Sequence, residues 1–170
     1  MIANGLLIIF PLLLAIAAFF DLFTMTIPNK LNLLLVIAFV AMAFLLQLPL
    51  QQVGMSFALG FGVMVIGFGL FALGVMGGGD VKFLAAISLW LGLSMNMLDF
   101  ILLTSIYGGA LTLVILALRK VPYFPQFMHG QAWLLKLHDK KSGVPYGIAI
   151  AIAGIQVYPN TLWFSQIPTL

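Results

Sequence analysis

The stretch VIGFGLFALGVMGGGDVKFLAAISLW, residues 65–90, joins two apolar runs through three consecutive glycines and one aspartate. The runs have no polar face, and an apolar segment that is greasy all round is buried in protein or in lipid. Asp80 stands between them, where a charge is costly unless something uses it. Extended outward, the first run starts near Val53 and the second ends near Met97, so the stretch reads as two membrane helices meeting at a polar break.

The rest of the chain supports that reading. It has 170 residues, 64% hydrophobic and only 6% charged, with a mean hydropathy of +1.21. A soluble domain typically carries about 25% charged residues; this chain cannot build a polar shell and reads as an integral membrane protein. Cysteine is absent, which excludes disulfides, thiolate metal sites and a cysteine nucleophile. The opening run, MIANGLLIIFPLLLAIAAFF, has no Lys or Arg before its apolar core and is followed by Asp21, not by a cleavage site. It is expected to be a retained helix, not a signal peptide.

A ruler of roughly 20 apolar residues per span gives six: Ile2–Phe20, Leu31–Leu48, Val53–Val75, Val81–Met97, Phe100–Leu118 and Tyr146–Phe164. The expected fold class is all-α, a polytopic bundle of about six transmembrane helices forming one domain over residues 1–170. The connections after spans one, three and five carry Lys30, Lys82, Arg119, Lys120, Lys136, Lys140 and Lys141, which are all seven cationic side chains. The positive-inside rule makes that face cytoplasmic and puts both termini outside. The six glycines Gly54, Gly60, Gly62, Gly67, Gly69 and Gly74 suggest that the third span packs closely on a neighbour. The one long loop, residues 119–143, contains Trp133, Leu134 and Leu137 on one helical face, with Lys136, Lys140 and Lys141 nearby. That pattern fits a short helix lying on an anionic leaflet.

All four acids are aspartates. Asp99 falls on the outer face and Asp139 among loop lysines, where both read as solvated charges. Asp21 and Asp80 fall at the membrane boundary on the cytoplasmic side. Two readings stand for them. Asp21 would cap the turn before Ile27-Pro28 and Asp80 would be the N-cap of span four, or the two would share one site. Gly77, Gly78 and Gly79 permit positive φ and keep side chains away from a ligand, and their N–H groups could pair with an extended peptide. Two carboxyls that share a site hold one proton between them, which supplies a general base and a general acid around one water. Helix direction puts Asp80 at a positive helix end and Asp21 at a negative one. Asp80 is then expected to activate water and Asp21 to supply the proton. Other chemistries fit worse. His129 and His138 have no HExxH frame, Ser88 and Ser105 have no base beside them, and GGGD is neither a Walker loop nor a dinucleotide fingerprint. No metal and no cofactor are expected.

GGGDVKF resembles the GxGD-x-K signature of the type IV prepilin peptidases, which are membrane aspartic proteases. DLFTMTIPNKLN resembles that family's first catalytic segment, here Asp21, Ile27, Pro28 and Asn29. GVPYGIAIAIAG resembles the Pro-Tyr-Gly segment that opens its last helix, here Pro145, Tyr146 and Gly147. The resemblance implies an aspartic endopeptidase with Asp21 and Asp80 as the catalytic pair. The loop-shaping or substrate-binding positions would be Gly77, Gly78, Gly79, Lys82, Pro28, Asn29, Pro145, Tyr146 and Gly147. Its partners would be membrane lipids and a prepilin or pseudopilin, whose short basic leader is removed at the cytoplasmic boundary of a bacterial inner membrane; nucleic acid is not expected. The chain looks like the short form associated with Flp-type pili, without methylation. Many members carry a basic residue shortly after the first Asp, where this chain has Phe23, Thr24 and Met25, so leader recognition is expected to differ. The apolar helix of the substrate would lie beside spans one and four. Lys82 either snorkels to headgroups or supports the Asp80 anion. The alternatives are a proton- or cation-coupled transporter using Asp21 and Asp80, which lacks a mid-membrane polar group, and a GxGD protease with a different membrane substrate.

Overall fold

The computed structural model describes residues 2–120, 131–140 and 142–166. Helices α1 (Ile2–Thr24), α2 (Asn29–Leu45), α3 (Leu50–Ala72), α4 (Gly78–Leu91), α5 (Met95–Leu118), α6 (Ala132–His138) and α7 (Tyr146–Val157) are followed by a 3-10 turn, Tyr158–Asn160, and a short α8 (Leu162–Gln166). No strand occurs among the described residues. The chain is an all-α polytopic membrane protein. Among the described residues, four stretches are long and apolar enough to cross a bilayer: Leu6–Thr24, Leu50–Ala72, Met95–Leu118 and Tyr146–Ser165, with α2 a shorter apolar helix.

Prolines set three of the helix starts. Pro28, Pro49 and Pro145 are the N-caps of α2, α3 and α7, with ψ of 133, 135 and 80, none of them helical. A fixed φ and a missing N–H cost nothing where no intrahelical donor is needed.

The expected fourth span, Val81–Met97, is not one helix. It ends at Leu91, because Gly92 takes φ +61, a conformation that side chains with a Cβ avoid, and Met95 opens α5. The fifth span therefore starts five residues earlier than Phe100. At 14 residues, α4 rises about 21 Å, short of the roughly 30 Å hydrocarbon core. It tolerates this because it is the centre of the bundle: ten of the 14 residues are buried, and α2, α3, α5 and α7 all touch it. A second group packs α7 between α1 and α5. By contrast, only 17% of the α3 window and 11% of the α5 window are buried. Their outer faces, with Val65, Ile66, Leu102 and Leu113, are left for lipid.

The far end of α4 is locked by aromatics. Trp90 meets Phe10 at 4.9 Å, Trp163 at 5.0 Å and Phe39 at 6.1 Å between ring centroids. Its indole donates to Leu35 O at 3.1 Å, and the Trp163 indole donates to Trp90 O at 2.7 Å. Indole donors sequestered from water need such partners.

The glycines of α3 divide into two sets. A Cβ on Gly60 would stand 2.8 Å from Leu89, and one on Gly67 would stand 2.5 Å from Val81, so these two let α3 approach α4. Gly54, Gly62 and Gly69 face open space and Gly74 forms the turn after α3 at φ +71, so close packing explains only part of the expected set.

Helix α6 exists, but its apolar face is turned inward. Trp133, Leu134 and Leu137 are half-buried while Leu135 and Lys136 are exposed, Trp133 stacks against Phe23 at 5.3 Å, and α6 touches α1 and α5. The expected lipid-facing stripe is therefore a docking face on the bundle. His129 and Lys141 lie outside the described residues.

Candidate active site

Helix α1 stops where Met25 adopts φ +59 and its N–H closes on Asp21 O at 2.9 Å. The Thr24 hydroxyl adds a bond to Phe20 O at 2.7 Å. This αL termination turns the chain back toward the bundle, and Ile27 is buried under it. Asp21, one turn before the stop, is left on the inner side of α1 and is only 3% exposed.

Asp80 arrives from α4. Gly77 is the N-cap, with φ −71 and ψ 143, and its carbonyl accepts from Val81 N at 3.1 Å. Positive φ occurs at Gly74 and Gly92, not within the triplet. Asp80 is thus the third helical residue and not the N-cap. Its carboxylate folds back on the Gly77 N–H, as the acidic half of a capping box does. A Cβ on Gly77 would stand 2.9 Å from Asp80 Oδ2, which explains a glycine there by close approach. Gly78 and Gly79 fill the first turn, whose N–H groups have no intrahelical acceptors.

Helix α7 supplies the third side. The Gly147 N–H donates to Asp21 Oδ2 at 2.7 Å across 126 positions of sequence. Asp21 thereby satisfies one orphan donor at the N-terminus of α7. A Cβ at 147 would meet Asp21 Oδ2 at 2.7 Å and Ile27 Cδ1 at 2.8 Å. Pro145 is the N-cap. Tyr146 packs over Gly108, and its hydroxyl accepts from Thr112 Oγ1 at 3.1 Å.

Asp21, Asp80, Gly77, Gly78, Gly79 and Asn29 line one cavity of about 510 Å³, with Tyr146 and Gly143 also on its wall. The two aspartates are close enough for their charges to act on each other. The structure therefore brings together both expected acids, the glycine triplet, Asn29 and Tyr146. Pro28, Pro145 and Gly147 stand behind them as turn and cap residues.

Lys82 is placed differently. Its Nζ donates to Asn29 Oδ1 at 2.9 Å, which ties α4 to α2, and it lines a second cavity rather than this one. It is neither a free snorkelling lysine nor a direct partner of Asp80. Asp99 is exposed near the start of α5, at the opposite end of the bundle, as expected. Ser88 and Ser105 bond backbone carbonyls of their own helices, again as expected.

In the sequence Arg119 marks topology alone; in the structure it has a second role. Its Nε donates to Leu137 O at 2.8 Å, and its Nη2 donates to Ser142 O and Gly143 O at 2.9 Å each. It fixes the strip of chain that reaches the cavity through Gly143 and Val144. Its only sequence signal was an arginine directly after an apolar run.

Two carboxyls, one cavity and a row of free main-chain donors can hold a water and an extended peptide. No group of three or more His, Cys, Asp or Glu suited to a metal occurs among the described residues. No curated protein and no solved structure matches the chain. A family model described as the type IV leader peptidase family matches residues 8–113, more than half of the chain and both aspartate segments. The chain belongs to the type IV leader peptidase family.

Proposed function

We propose that this protein is an aspartic endopeptidase that removes the short basic leader of a prepilin or pseudopilin at the cytoplasmic boundary of a bacterial inner membrane. The observation that carries this reading is the convergence of Asp21 and Asp80 on one cavity, at the end of the bundle where Lys30, Lys82 and Arg119 also stand. Positive-inside orientation then faces the cavity to the cytoplasm and puts both termini outside.

Asp21 and Asp80 hold a water between them and share one proton. One carboxylate takes a proton from the water as it attacks the scissile carbonyl, and the other carboxyl donates its proton as the amine leaves. Helix direction alone gives the proton to Asp21. The Gly147 donor changes that balance, since Asp21 stands at the C-terminal end of α1 and equally at the positive N-terminal end of α7. The proton belongs to the pair rather than to either member. The N–H groups of Gly78 and Gly79, at the N-terminus of α4, donate to carbonyls of the extended cleavage segment.

The test is cleavage of a purified prepilin in vesicles by wild type, Asp21→Asn and Asp80→Asn, with thermal unfolding measured for each. Both variants should fold and lose cleavage. A folded variant that still cleaves at the wild-type rate removes the pair from the chemistry. Proton flux without cleavage in wild type would establish the transporter instead.

A further inference from the structure

A second cavity of about 540 Å³ opens between α2, α3 and α4, lined by Asn32, Val36, Phe61, Met64, Ala85 and Leu89. Its walls are apolar except at Asn32 and at one end, where Asn29 and Lys82 close it. Asn29 also lines the cavity of the two aspartates, so the two spaces are adjacent. Asn32 is 6% exposed, and neither its Oδ1 nor its Nδ2 has a hydrogen-bond partner among the described residues. A buried amide with nothing to bond is costly, so a partner reached by turning the Asn32 side chain into the groove would relieve that cost.

We propose that this groove binds the apolar helix that follows the scissile bond in the substrate, and that Asn32 hydrogen-bonds a polar side chain or freed carbonyl on that helix. The proposal rests on the peptidase reading above and names where its substrate docks. An acyl chain would fill the apolar walls but cannot satisfy the amide, whereas small polar side chains on membrane helices do bond across helices in this way. The position revises the expected path beside spans one and four: α2 and α7 occupy the space between α1 and α4, and the open side lies toward α2 and α3. The Asn29–Lys82 bond forms the sill between groove and cavity, where the substrate passes from helix to extended chain.

The experiment compares a full-length prepilin with the same prepilin truncated shortly after the cleaved bond, both in vesicles of phosphatidylethanolamine and phosphatidylglycerol. Asn32→Leu keeps the volume and removes an unpaired buried amide, so folding is not at risk. It should raise KM for the full-length substrate about five- to tenfold more than for the truncated one, with kcat nearly kept, as expected for one lost interhelical hydrogen bond. A photo-cross-linking phenylalanine analogue at position 61, a residue 71% exposed on the groove wall, should capture the substrate helix. Equal KM changes for the two substrates, or cross-links to lipid alone, overturn the proposal while cleavage persists. If wild type cleaves neither substrate, the peptidase reading falls and takes this one with it.

Discussion

Gly147→Ala tests the geometry at its tightest point. The added Cβ would lie 2.7 Å from Asp21 Oδ2, 2.8 Å from Ile27 Cδ1 and 3.0 Å from Asp21 Cβ. These gaps fall about 0.4–0.7 Å short of ordinary contact, where repulsion climbs steeply. Neither neighbour has room to yield: Ile27 is buried under the turn after α1, and Asp21 is held by the amide of the substituted residue itself. Relief requires Asp21 to leave the Gly147 N–H. Overpacking of this kind costs about 1–3 kcal/mol of stability, and displacing a reacting group by about 1 Å costs on the order of a hundredfold in rate. Gly69→Ala is the control, because a Cβ there meets nothing within 4 Å and alanine favours the helix by about 1 kcal/mol. Cleavage of a prepilin in vesicles, with unfolding followed in detergent, should show Gly147→Ala folded and about a hundredfold slower, with Gly69→Ala unchanged. A Gly147→Ala variant within about threefold of wild-type kcat would refute the claim that this contact positions Asp21.

Other outcomes follow from the same contacts. Cleavage plotted against pH should be bell-shaped: below the lower limb both carboxyls are protonated and no base remains, and above the upper limb both are ionised and no acid remains. A single sigmoid would contradict the shared proton. Lys82→Met should leave the midpoints of that profile in place, because its ammonium is bonded to Asn29 and not to Asp80; a shift of both limbs would restore the direct electrostatic role. Arg119→Met removes three donor contacts to the chain entering the cavity and should slow cleavage several-fold, with Arg119→Lys recovering only part, as a lysine cannot fork to separate carbonyls. Trp90→Phe loses the bond to Leu35 O at the far end of α4 and should lower stability by about 1–3 kcal/mol with kcat retained.

Much of the site was legible without coordinates because a bilayer imposes simple rules on the chain. A run of apolar residues must be helical to satisfy its backbone in lipid, so the all-helical class follows from hydropathy. The acids were conspicuous because lipid makes charge rare: Asp99 lies at the other end and Asp139 in the basic loop, which leaves Asp21 and Asp80 at the basic ends of long apolar runs. Hydropathy could not say which helix is central. Lipid and protein interior are about equally apolar, so the buried α4 and the lipid-facing α5 look alike in sequence. A helix wrapped by its neighbours is also free to be shorter than the membrane.

The amino-acid sequence by itself determined the solvent, the helical class, the end of the bundle that carries the charge and the two acids worth pairing, since these depend on the transfer energies of single residues and on their local order. Only the tertiary structure decided that Gly147 holds Asp21, that Lys82 bonds Asn29, that Gly77 and not Asp80 caps α4, and that Asn32 stands unpaired in a groove. Those facts depend on which helices lie side by side, and contacts as distant as 126 positions in the chain form only once α1, α4 and α7 converge on the same end.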